Sequence, residues 1–218
     1  MRKNITLICL SIVLFYSSIV NAKFTEGKEY QRAPNEVAQN DLIKEMMSQS
    51  KAKAQVLEFF SYGCPGCQKL DPAIDQWQKK RPPSVDFQRV PVTFHAPWAS
   101  LTKTYYTLED LKVLEKLHGT FFKAIHSNEV DDASPNALAK FFETKGVKPL
   151  EFMNAYQSFD VNRKQKWAGA VSKAYRITII PAVIVQGPKG VFITTPSMTG
   201  DDETLIKVVN HLVDLQQK

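Results

Sequence analysis

Nine residues, Phe59-Phe60-Ser61-Tyr62-Gly63-Cys64-Pro65-Gly66-Cys67, constrain this chain more than any other stretch. They start in an apolar run, Val56 to Phe60, and end in a C-x-x-C that opens a helical pattern. A disulfide between residues so close in sequence closes a very small loop. It removes little entropy from the unfolded chain and makes a poor structural staple. Its use is chemical. The first cysteine sits where a helix offers unpaired N–H groups and the positive end of its dipole, which favours thiolate over thiol. Pro65 suits the first turn, where its missing N–H would have had no partner. The pair reads as a redox couple.

Arg2 and Lys3 precede an apolar stretch from Ile5 to Val20, and Val20-Asn21-Ala22 then supplies small residues. That order is the pattern of a signal peptide over residues 1–22, cleaved after Ala22. The alternative is an uncleaved membrane anchor, against which stand the short run and the missing stop-transfer flank. Cleavage removes Cys9, so only Cys64 and Cys67 of the three cysteines remain. The mature chain then has 196 residues (218 less 22), and losing two bases takes the net charge from +6 to +4. There is no basic stripe interleaved with aromatics, so nucleic acid is not the expected partner. One cysteine pair does not make a disulfide framework. An ordinary core must hold the fold, and 44% hydrophobic composition is enough to build one. Zinc would need two ligands beyond the C-x-x-C. His95, His118, His126 and His211 are scattered and read as surface or core polar residues, so no metal is expected.

Along the chain, residues 23–34 read as an extended lead-in with Gly27 as a break and Tyr30 as an anchor. Residues 35–53 read as a helix with Asn40-Asp41 as caps, either packed on the domain or forming a dimer contact. Val56 to Phe60 lacks alternation, as expected of a strand covered on both faces. Glu58 is anomalous there: an ionised carboxylate carries a large desolvation penalty and a raised pKa. It is either an acid reaching water or a lysine from a strand end, or a proton acceptor for the buried thiol of Cys67. The helix continues from Gln68 to Lys80, with a kink expected at Pro72. Val85 to Phe94 reads as a strand that Pro91 interrupts. From 95 to 167 only helical spacings occur: Leu101 to Leu108, Val113 to Ile125, a helix from Ser134-Pro135 to a stop at Gly146, and one carrying Phe152, Tyr156 and Phe159. Another runs from Val161 to Tyr175. Pro181 is placed just before a buried strand, where a cis Ile180–Pro181 bond would make a tight turn. A hairpin turn at 186–190 leads to Val191–Thr194, and Asp201-Asp202-Glu203 opens a last amphipathic helix.

Strand, C-x-x-C helix, strand, helical block, helix, proline-led strand, strand, helix: this order is a thioredoxin-like α/β fold with an inserted all-helical domain. The expected division is 23–94 and 168–218 for the thioredoxin-like domain and 95–167 for the insertion. Gln55-Val56-Leu57-Glu58-Phe59-Phe60-Ser61, Ile180-Pro181-Ala182, the Gly27-Lys28 lead-in and the export signal together resemble DsbA, the bacterial periplasmic thiol oxidases. The resemblance implies a periplasmic thiol:disulfide oxidase that introduces disulfides into unfolded exported proteins at Cys64 and Cys67. Pro65 and Gly66 would tune the couple, and Ile180 would bind an extended substrate beside Pro181. It also implies reoxidation by a DsbB-like quinone-coupled membrane protein, and no cofactor. The alternatives are a disulfide isomerase or reductase of the same fold and a chaperone-like binding module. Two departures stand out. The family's usual dipeptide is Pro-His, so Gly66 predicts a less depressed Cys64 pKa and a less oxidising couple. The 35–53 segment is also longer than the family's.

Overall fold

The computed structural model describes residues 24–130 and 133–218, so the expected signal peptide, including Cys9, lies outside the described residues. Gly27, at φ +89°, closes a turn in which its N–H donates to the Tyr30 carbonyl at 2.7 Å. Strand β1 (Gln31–Arg32) follows. The helix expected over 35–53 is two helices, α1 (Asn35–Ala38) and α2 (Asp41–Gln49). Asn40 breaks them apart, because its side chain leaves the helical path to accept the Leu42 N–H at 3.1 Å.

β2 (Ala54–Phe60) lies inside the sheet, with β3 (Val85–Pro91) parallel on one side and β4 (Ala182–Gly187) antiparallel on the other. β5 (Gly190–Thr194) pairs with β4, and β1 closes that edge, giving the order β1-β5-β4-β2-β3. The parallel pair requires a crossover, which α3 (Pro65–Lys80) supplies. β3 stops at Pro91, not Phe94: its partner β2 ends opposite at Phe60, whose carbonyl accepts the Val92 N–H at 2.7 Å as the last rung. Pro72 lies inside α3, which runs as one helix from Pro65 to Lys80.

Between β3 and β4 come α4 (Trp98–Asp110), α5 (Leu114–His126), α6 (Pro135–Glu143), α7 (Pro149–Gln157) and α8 (Phe159–Ala174). Ser158 ends α7 and caps α8, so Phe159 starts the next helix instead of extending the pattern of Phe152 and Tyr156, and it is 81% exposed. The division expected at 167/168 falls inside α8, which packs on α2, α4 and β3 alike. α9 (Pro196–Thr199) and α10 (Asp202–Gln217) complete the chain, with Asp201 capping α10 through the Thr204 N–H at 2.7 Å.

The sheet carries a core on each face. Ala54, Val56, Val183 and Val185 pack with Leu70, Ile74, Leu205 and Val209 of α3 and α10. Leu57, Phe59 and Ile184 pack with Val171 and the aromatic interior of the helical block. That double cover explains why β2 shows no alternation in sequence. α2 spends its apolar side within its own chain: Ile43 is fully buried, and Leu42, Met46 and Met47 pack on the same core. Ile43→Ala should therefore cost about 2–5 kcal/mol in urea unfolding, with the oligomer size unchanged on gel filtration.

Candidate active site

Cys64 is the N-cap of α3, and Pro65 occupies the first helical position, as the missing proline N–H allows. The Cys64 Sγ accepts the N–H of Cys67 at 3.3 Å and lies 3.8 Å from the Ile180 carbonyl. Hydrogen bonds to the sulfur from the Cys67 side chain, then from the Cys67 and Gly66 N–H groups, outweigh burial. They bring the Cys64 thiol down from 9.0 to about 7. Cys67 goes the other way. It has no exposed surface, and burial, the neighbouring sulfur and the charge of Glu58 all push its thiol well up. Cys64 keeps 8% of its surface.

The Ile180–Pro181 bond is cis. A Cβ on Gly66 would lie 3.2 Å from Pro181 Cδ and 3.9 Å from the Cys64 sulfur, so Gly66, Pro181, Cys64 and Ile180 meet at one point. Ile179, just before them, is 51% exposed. On the other side, Trp98 covers Gly63 so closely that a Cβ there would meet the indole nitrogen.

Glu58 is not at a water-facing strand end, and its partner is not a lysine. It is buried opposite Arg89 in the β2–β3 register and accepts the Arg89 Nε–H at 2.8 Å. Burial raises its carboxyl to about 7; Arg89 opposes that rise and Asp71 adds to it. Arg89 also donates to Asp71 at 3.1 Å. The His118 Nε2 stands 3.0 Å from the same Asp71 oxygen, and its Nδ1 is 2.7 Å from the Tyr62 hydroxyl. Arg89, Asp71, His118 and Tyr62 were not picked out from the sequence. Two signals existed. Arg89 shares strand parity with Val85 and Phe87, and His118 stands three and four residues before Phe121 and Phe122 on the apolar side of α5. Trp98 carried no such signal.

Two thiols driven apart in acidity exchange disulfides readily, because one attacks or leaves easily while the other stays a protected thiol. On this sheet they define a thioredoxin-fold thiol:disulfide oxidoreductase. No family model matches the chain. Among characterised proteins it is 36% identical to the thiol:disulfide interchange protein DsbA of Burkholderia cepacia over 167 residues, 77% of each chain. It is 31% identical to that of Pseudomonas aeruginosa over 218 residues, 100% of this chain and 98% of the relative. The crystal structure of Pseudomonas aeruginosa DsbA matches with a TM-score of 0.78 and 29% identity, over 89% of this chain and 95% of that one. The oxidoreductase DsbA from Xylella fastidiosa shares the fold at 24% identity, with a TM-score of 0.74 over 88% and 97% of the two chains. The chain belongs to the DsbA family of thiol:disulfide interchange proteins.

The acidities fix a pH dependence. A thiol lowered on folding stabilises the native state fully above its unfolded value, 9.0, and loses that effect as pH falls through about 7. Reduced protein should therefore gain stability relative to oxidised protein as pH rises from 7 towards 9 in paired urea titrations. Thiolate ultraviolet absorbance should show the midpoint near 7 and lose that step in Cys64→Ser.

Proposed function

We propose that the protein is a disulfide donor: an oxidase that passes the Cys64–Cys67 disulfide to thiols of unfolded exported proteins. The observation that supports it best is the Cys64 sulfur at the start of α3, with its thiol lowered while that of Cys67 is raised. A substrate thiolate attacks Cys64 Sγ, the Cys64–Cys67 bond breaks, and Cys67 leaves and takes a proton. The substrate's second thiolate then attacks the substrate sulfur of the mixed disulfide, since only that attack leaves the new bond on the substrate. Cys64 departs as a stabilised thiolate. Two electrons pass from substrate to enzyme, and the easily ionised leaving group drives the exchange forward.

Glu58 is the proton acceptor and donor for Cys67. A carboxyl near 7 is poised to give and take a proton at neutral pH. The exposed approach at Ile179 and the Ile180 backbone beside Pro181 suit an extended substrate segment held by strand addition. Residues 1–22 and the family point to cleavage after Ala22 and a periplasmic location. No helix among the described residues is long and apolar enough to cross a membrane. A DsbB-like quinone-coupled membrane protein is the reoxidant that the family implies.

Titration against glutathione redox buffers tests the direction of exchange. Trp98, lying against Gly63 beside the dithiol, provides the fluorescence signal. The couple should be more oxidising than thioredoxin. A value as reducing as thioredoxin's overturns the oxidase reading in favour of a reductase, and persistence of substrate capture and phenotype in Cys64→Ser would favour a binding module. Gly66→His should lower the Cys64 midpoint and make the couple more oxidising, the neighbouring Pro181 needing to give by only a few tenths of an ångström. Glu58→Gln should slow the attack of Cys67 on a Cys64–glutathione mixed disulfide about tenfold or more near neutral pH.

A further inference from the structure

The Glu58–Arg89 ion pair, whose carboxylate acts on the Cys67 thiol, is one end of a longer chain of buried groups. Arg89 is shared between Glu58 at 2.8 Å and Asp71 at 3.1 Å, so the more firmly it serves one carboxylate, the less of its charge reaches the other. Asp71 in turn has His118 at 3.0 Å. The His118 ring is buried among Phe60, Tyr105 and Phe122, and on its far side it meets the Tyr62 hydroxyl at 2.7 Å. The chain thus starts on β2, passes through β3, α3 and α5, and returns to Tyr62, two residues before Cys64.

The protonation of the ring follows from its neighbours. A bare Nε2 lone pair facing the Asp71 oxygen would be repelled, whereas an Nε2–H is attracted to it. Nδ1 is then the acceptor, and the Tyr62 O–H donates to it. Burial holds the imidazole below its ordinary pKa, with Asp71 opposing, and burial keeps the Tyr62 phenol protonated. Nε2 lacks a well-aligned hydrogen bond despite its distance, so it acts on Asp71 as a nearby dipole. Asp75 on α3, Tyr105 on α4 and the Cys67 thiol also act on this chain.

The geometry points to His118 as a positioning residue for the thiol chemistry: by offsetting the charge of Asp71, it decides how much of the Arg89 charge is left to hold Glu58 ionised. This deepens the reading of Glu58 as the proton partner of Cys67 and rests on it. Neutral His118 with its Nε2–H towards Asp71 weakens the Asp71 field at Glu58. Without that N–H the field strengthens, Arg89 is drawn more to Asp71, and Glu58 takes up a proton at higher pH. Removing the Asp71 charge does the reverse.

The test follows the carbon-13 shift of the Glu58 carboxyl against pH in the reduced protein, assigned by its disappearance in Glu58→Gln. The midpoint should lie near 7 in the native protein, rise by about half a pH unit in His118→Phe and fall in Asp71→Asn. His118→Gln, which keeps an N–H where Nε2 stood, should restore the native midpoint. Equal midpoints in His118→Phe and the native protein, or equal displacement in His118→Phe and His118→Gln, would overturn the coupling. Should His118→Phe fail to fold, nitrogen-15 shifts of His118 in the native protein decide the matter: a protonated Nε2 and a bare Nδ1 support the coupling, and the opposite tautomer overturns it. The rate of Cys67 attack on the Cys64–glutathione mixed disulfide, measured over the same pH range, separates the two readings. If its inflection survives Glu58→Gln, Glu58 is not the proton partner, whatever His118 does to the carboxyl midpoint.

Discussion

The first turn of α3 solvates a sulfur anion. Helix starts leave N–H groups without backbone partners, and here those of Gly66 and Cys67 converge on the Cys64 sulfur together with the Cys67 thiol. A sulfur that is comfortable as a thiolate is uncomfortable as half of a disulfide, which is the source of a donor's oxidising strength. The rest of the molecule serves this arrangement. β2 delivers the cysteines to the helix start, and Pro181, just before β4, lies against Gly66 between them. The helical block closes over Gly63 through Trp98. With glycine at position 66, the first thiolate relies on backbone donors and its partner thiol.

Beneath the dithiol, a set of charges that would be costly singly is held by mutual pairing. Burial works against the charge on Arg89, but Glu58 and Asp71 outweigh it and the guanidinium pKa rises. An arginine suits this place because its planar fork can serve two carboxylates at once. The cluster is not primarily a source of stability, since buried ion pairs repay their desolvation poorly. Its consequence is chemical: it leaves a buried carboxyl whose pKa is raised to about 7.

The sequence made the two cysteines, the cis-proline turn and the odd acid Glu58 visible because each violates a local rule. A four-residue cysteine spacing staples nothing, a proline does not belong mid-strand, and a carboxylate does not belong in an apolar run. Arg89, Asp71, His118 and Tyr62 break no local rule strongly enough to be noticed. Asp71 is one acid among the polar residues of a helical pattern, and His118 reads only as a surface or core polar residue. They become a set only when β3, α3 and α5 pack side by side.

From the residues alone came the order of elements, the capped start of α3, the cover on both faces of β2 and the helical character of the block before β4. These are properties of short stretches, governed by periodicity, turn chemistry and caps. Packing alone decided that α8 bridges the block and the sheet, and which partner meets Glu58. Those outcomes depend on groups far apart in the chain competing for the same few ångströms, and no local pattern records which of them wins.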